Sequence, residues 1–183
     1  MSFIYEGRCW KFGDMLACDG AMMPIEFVYG RESRPEVLRA HLFEGLDKDF
    51  ASKISEGDII VAGRRFGVGH AHPQAAMGIA AAKLGVIAES IPYLNFRNLV
   101  NAAVPFLSDA QGVGLLCDTG DRLRVDFATG HFENLTRGIT FDYQPLPSPL
   151  LATIELGGWK PMVRSRLERM RASEFKQNAS PPT

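Results

Sequence analysis

The chain has 183 residues, enough for one well-buried domain and too few for two comfortable ones. Its formal net charge of -1 supplies no basic field for a nucleic-acid backbone and no polybasic anchor for a membrane surface, so neither partner is expected. No run approaches the roughly 18 consecutive apolar residues of a spanning helix, and MSFIYEGRCWKFGD lacks the basic-then-apolar pattern of a secretory signal; a cytoplasmic protein is expected.

In chain order, Phe3 to Phe12 alternates loosely and reads as an opening strand, followed by an irregular segment through Pro24 with Asp19-Gly20 as a turn signal. The stretch from Ile25 to Arg34 is polar and expected to be exposed. Pro35 starts a helix reaching about Phe43, and a short helix covers Lys48 to Ile54. Ile59 to Ala62 is an apolar strand, a glycine-rich loop leads to a helix from Pro73 to about Leu84, and Gly85 precedes a strand from Val86 to Glu89. The small residues of that helix let its backbone lie close to a sheet. A further helix carries Arg97, Asn98 and Asn101. Short strands follow at Val113 to Cys117, Arg122 to Phe127, Phe132 to Asn134 and Ile139 to Tyr143, an antiparallel section punctuated by Gly120-Asp121 and Gly130. Leu150 to Leu156 is a helix closed by Gly157-Gly158, Trp159 to about Met170 a basic amphipathic helix, and 172–183 a polar tail expected to be disordered. The fold class is therefore α/β, a single domain over residues 1–171 in which one βαβ unit joins an antiparallel section.

Chemistry concentrates between Gly63 and Pro73. Proline is welcome as a first helical residue, and a helix N-terminus behind a turn built on Gly67, Val68 and Gly69 offers unpaired N–H groups and the positive end of a dipole to an anion. His70 and His72 stand in that loop, and histidine is the residue type most used for general acid–base work, so both are candidates for proton transfer. As a metal pair they lack a nearby carboxylate, and Pro73 follows directly. The glycines do not form G-x-G-x-x-G, so a dinucleotide site is not supported. Cys9, Cys18 and Cys117, odd in number and without C-x-x-C, argue against a disulfide framework and against a metal site in this chain.

The succession GDIIVAGRRFGVG, helix, VIAES, FRNLVNAAVPFL resembles the small subunit of isopropylmalate isomerase, the swivelling domain of the aconitase superfamily. GRCWKFGD, HLFEGLD and LPSPLLATIELGGW are similar to that family's opening strand, the segment before its central strand and its closing helix, so the likeness extends over most of residues 7–165. The resemblance implies a swivelling β/β/α fold with a mixed sheet, acting as half of a hydro-lyase. In that family a large subunit carries a 4Fe-4S cluster and the small subunit closes over it, so no cofactor is expected on this chain. The substrate implied is a hydroxy di- or tricarboxylate, in leucine biosynthesis for the name-giving members, with carboxylates held by backbone N–H groups and arginine.

The chain departs from the family where the chemistry lies. The family's loop reads Gly-Cys-Gly-Ser-Ser-Arg-Glu, with a serine as base and the arginine on a substrate carboxylate; here Gly67, Val68, Gly69, His70, Ala71, His72 and Pro73 occupy those positions. Of the family's Asp-x-Asp-Thr-Asp only Asp19 is kept, and Ile91-Pro92-Tyr93 replaces Phe-Ala-Arg. The expected site is His70 and His72 for proton transfer, the backbone of Gly67, Val68 and Gly69 with Arg64 for a carboxylate, and Arg31 and Arg34 for the variable part of the substrate. The altered loop equally admits a swivel domain without catalysis, a binding or regulatory module, or a hydro-lyase for a different acid.

Overall fold

The computed structural model describes residues 3–178. Seven strands form one sheet in the order β4-β3-β2-β1-β5-β6-β7. Strand β1 (Ile4–Phe12) is its hinge. On one side β1 pairs parallel with β2 (Ile59–Ala62), which pairs parallel with β3 (Gly85–Ala88), which pairs parallel with β4 (Phe106–Leu107). On the other side β1 pairs antiparallel with β5 (Arg122–Asp126), continued by β6 (His131–Asn134) and β7 (Ile139–Asp142). The mixed sheet with an antiparallel section is thus as the sequence suggests.

Every residue of β2 and β3 is buried, because both faces of the parallel half are covered. Ile60, Ala62, Val86 and Ala88 face a layer of helices, while Ile59, Val61 and Ile87 face Leu123, Val125, Phe127 and Phe132 of the antiparallel half. Gly85 is required there: a Cβ would lie 2.4 Å from the Phe127 ring. The helical layer comprises α1 (Ile25–Tyr29), α2 (Pro35–Ala40), α3 (Phe50–Lys53), α4 (Gln74–Ala81), α5 (Tyr93–Asn101), α6 (Ser148–Glu155) and α7 (Trp159–Asn178). Helix α4 crosses between β2 and β3 and uses its small residues to approach α2 as well: a Cβ on Gly78 would lie 3.0 Å from the Leu38 carbonyl oxygen.

Four elements differ from expectation. Ile25–Tyr29 is helical, since Pro24 ends the extended segment and Val28 is buried under the new turn. Val113 to Cys117 is not a strand; Gly112, at φ 74°, turns the chain into a 3-10 helix over Val113–Leu115 that buries Val113 and exposes Leu115. Strand β4, only two residues after Pro105, is too short to register as a pattern. Helix α7 continues through Asn178, past the expected start of the polar tail, whose residues 179–183 lie outside the described residues.

The junction of β1 and β2 is fixed by the buried carboxylate of Asp58. It accepts the Arg8 N–H at 2.8 Å, the Trp10 indole N–H at 2.9 Å and the Ser55 N–H at 2.9 Å. Gly7 lets the strands meet, since a Cβ there would lie 2.6 Å from the Gly57 carbonyl oxygen. Asp58→Ala leaves these donors without their acceptor and is expected to cost about 3 kcal/mol, read as a lowered urea midpoint with an unchanged slope; a loss below about 0.5 kcal/mol would show that the carboxylate is dispensable.

Candidate active site

The site lies at the carboxyl ends of the parallel strands, where open α/β sheets place their ligands. Phe12, Ala62 and Ala88 stand level across β1, β2 and β3. The segments that leave them, 13–24, 63–73 and 89–92, therefore start side by side and knit together. Gly67 N–H and Val68 N–H both donate to the Leu16 carbonyl, at 2.8 and 3.0 Å, and Cys18 N–H returns a bond to the Val68 carbonyl at 3.3 Å. Phe66 N–H and Arg65 N–H donate to the carbonyl and hydroxyl of Ser90, each at 2.9 Å.

Asn95, buried on α5, closes the loop from below. Its amide donates to the Phe66 carbonyl at 3.1 Å and its oxygen accepts from the Cys18 thiol at 3.3 Å. Gly67 sits directly above it at φ 80°, and a Cβ there would lie 2.0 Å from the Asn95 amide nitrogen. Gly69 also has a positive φ, 99°, but open space around it. Cys18, desolvated in this core and beside Asp19, has its thiol pKa pushed up to about 12 and acts as a neutral donor.

Beyond Val68 the backbone donors change character. The N–H groups of Gly69, His70, Ala71 and His72 have no acceptor among the described residues, and α4 begins without a side-chain cap. Asn98 steadies this stretch through the Ala71 carbonyl at 2.7 Å. Of the amides expected to face an anion, those of Gly67 and Val68 are committed to Leu16, while that of Gly69 has no acceptor among the described residues.

The two histidines have different surroundings. His70 is exposed, with no side-chain partner among the described residues. His72 is half-buried, and its Nδ1 lies 2.6 Å from a carboxylate oxygen of Asp19. The ring of Tyr29 meets it edge-on with centroids 6.4 Å apart. The carboxylate that the sequence shows nowhere near the histidines is delivered by the fold from 53 positions upstream.

The expected arginines also separate. Arg64 forks onto Asp14 with Nε and Nη2 at 3.0 and 2.8 Å, and Arg34 forks onto Glu32. Those bonds, with the N–H groups of Arg34 and Ser33, pull the Glu32 carboxyl down to about 2, and Arg64 holds Asp14 below the ordinary carboxylate range. Arg31, at φ 52°, keeps a guanidinium with no partner among the described residues. It lines a cavity of about 470 Å³ together with Val28, Tyr29, His72, Pro73 and Gln74. Gln74, buried, donates to the Glu32 carbonyl at 3.3 Å while its side-chain oxygen finds no donor. A larger hollow of about 630 Å³ lies at the opposite, amino ends of the strands around Tyr5, Gly57 and Ala103, where Lys83 and Glu56 pair with each other. It gathers no comparable set of unpaired polar groups.

Comparison with known proteins decides the lineage. The chain is 34% identical over 168 residues to the isopropylmalate/citramalate isomerase small subunit of Methanocaldococcus jannaschii, covering 91% of this chain and 98% of the relative. It belongs to the 3-isopropylmalate dehydratase small-subunit family. The 3-isopropylmalate dehydratase small subunit of Methanosarcina acetivorans is 38% identical over 84% of this chain and 92% of its own length. The methanogen homoaconitase small subunit of Methanothermobacter thermautotrophicus is 35% identical over 86% and 89%. A crystal structure of 3-isopropylmalate dehydratase from M. jannaschii superposes with a TM-score of 0.80 at 26% identity, over 93% of this chain and 99% of that one. No protein-family model matches the chain.

Among the described residues no group of three His, Cys, Asp or Glu side chains stands together as a metal site. Cys9 and Cys117 meet each other in the sheet core with sulfurs 3.6 Å apart, and Cys18 faces Asn95. No helix of the described residues is long and apolar enough to cross a membrane.

The loop geometry makes a comparison of glycines informative. Gly69→Ala meets only the backbone cost of a positive φ, about 1–2 kcal/mol. Gly67→Ala adds a collision with Asn95 and is expected to cost about 2 kcal/mol more. Equal losses in urea unfolding would show that Asn95 yields freely.

Proposed function

We propose that this chain is the small subunit of a two-subunit hydro-lyase that removes and re-adds water on a hydroxy di- or tricarboxylic acid. The observation that carries the reading is the run of four N–H groups, Gly69 to His72, that have no acceptor among the described residues and lead into a helix without a side-chain cap, beside the Arg31 guanidinium, which has no partner among those residues. Backbone donors and an arginine are the groups that hold two carboxylates at a fixed separation. The names of the relatives, isopropylmalate/citramalate isomerase, 3-isopropylmalate dehydratase and homoaconitase, support this substrate class, and their designation as small subunits implies a large-subunit partner.

The partner is proposed to bring the 4Fe-4S cluster, and this chain to bring substrate grip and proton transfer. One carboxylate is assigned to the amides of Gly69 to His72, close to the Gly67–Gly69 turn. A distal carboxylate is assigned to Arg31. Arg34 and Arg64, tied to Glu32 and Asp14, hold the turns that frame the cavity. His70 and His72 stand where the family's serine and arginine stood and are the side chains available to move a proton. Three free, buried thiols suit a reducing, cytoplasmic setting.

Anaerobic assembly with a cluster-bearing large subunit and an isopropylmalate dehydration assay, followed by absorbance of the alkene product, tests the reading. Turnover is expected. Arg31→Ala is expected to raise KM about ten-fold or more, the worth of one charge-assisted contact, with Arg34→Ala within about three-fold of the parent. A stable complex inert toward isopropylmalate, citramalate and homocitrate would contradict a catalytic role and favour a binding module.

A further inference from the structure

We infer that Asp19 and His72 form a proton-transfer dyad in which Asp19 fixes the histidine's tautomer and His72 takes over the work of the serine this loop lacks. The inference rests on the hydro-lyase reading for its reaction and on geometry alone for its arrangement. An aspartate within 2.6 Å of Nδ1 accepts the Nδ1–H bond, so the neutral ring carries its proton there and leaves Nε2 as the bare, basic nitrogen. Nδ1 is turned to Asp19 while the residue itself lines the 470 Å³ cavity that holds Arg31.

The arrangement is held on all sides. Asp19 sits in a turn closed by Gly20 N–H to the Met23 carbonyl at 2.7 Å, and the preceding Cys18 is bonded to Val68. Asp19 is the less exposed partner, its side chain 18% accessible against 43% for His72, and Tyr29 walls the other flank of the ring. Asp19 is therefore a positioning residue, touching the ring and not the substrate. His70 has no such orienting group, so its ring is free to present either nitrogen.

In the forward step Nε2 accepts the proton from the carbon beside a bound carboxylate. The C–H electron pair becomes the C=C bond, the C–O bond breaks, and the departing hydroxide takes a proton from solvent to leave as water. On hydration the imidazolium returns its proton to carbon. A base positioned in this way contributes about 10²- to 10⁴-fold to the rate.

The first test needs no partner and no turnover. Nitrogen-15 NMR of the full chain, at a pH where His72 is neutral, is expected to show Nδ1 protonated and Nε2 bare, with Asp19→Ala reverting to the Nε2–H form ordinary in free histidine. An Nε2–H tautomer in the parent protein overturns the dyad. In the assembled enzyme His72→Gln is expected to lower kcat at least 10²-fold with KM within about three-fold. Asp19→Asn, which keeps the shape of the side chain, is expected to lower kcat ten-fold or more. Full kcat in His72→Gln overturns the proton-acceptor role. An assembled parent enzyme without turnover removes the hydro-lyase reading, and the tautomer measured in the isolated chain still decides the dyad.

Discussion

Three donors converging on the buried carboxylate of Asp58 fix how β1 lies against β2, and the rest of the molecule inherits that register. With Arg8, Trp10 and Ser55 bound at one end, Cys9 faces Ile59 and Phe12 faces Ala62 at the other. A slip of one residue would exchange the two faces of β1, moving Cys9 out of the sheet core it shares with Cys117 and Trp10 out of the helical layer. It would also offset the two segments that leave the strands. Level ends are what allow the Leu16 carbonyl to meet two amides of the opposite loop and Asp19 to meet His72.

The loop commits only part of its backbone to internal hydrogen bonds. Gly67 and Val68 give their N–H groups to Leu16, which spends them on holding the loop in place. The next four residues keep theirs. This division depends on positive φ at Gly67 and Gly69, which turns the chain away from the 13–24 segment before further bonds can form. Asn95 makes the turn at Gly67 specific, because its side chain fills the space that any larger residue would need. Above this scaffold the fold brings the carboxylate of Asp19 to the ring of His72.

Much of the architecture was legible in the sequence because local signals agreed with it. The apolar runs of β2 and β3, Pro73 at the start of α4 and the turns at Gly120 and Gly130 each carry their own physical reason. Elements set by tertiary contacts were not legible. Val113 to Cys117 has strand composition, yet Gly112 turns it into a 3-10 helix, and β4 is two residues whose pairing comes wholly from β3. Of the proposed site, the glycines, His72 and Arg31 are singled out by the sequence itself. Which amides are free, that Arg34 and Arg64 are already paired, and that Asp19 reaches His72 all depend on distances between segments far apart in the chain. The turn signal at Asp19-Gly20 and its place in an eroded acidic motif were the available hint.

The most direct test of the account is a crystal structure of the anaerobically assembled heteromer with a hydroxy-dicarboxylate that cannot turn over. The account predicts a substrate carboxylate within hydrogen-bond distance of the N–H groups between Gly69 and His72, with the reacting carbon facing Nε2 of His72 and a second carboxylate on Arg31. A ligand bound wholly by the large subunit, with those amides left to solvent, would contradict it.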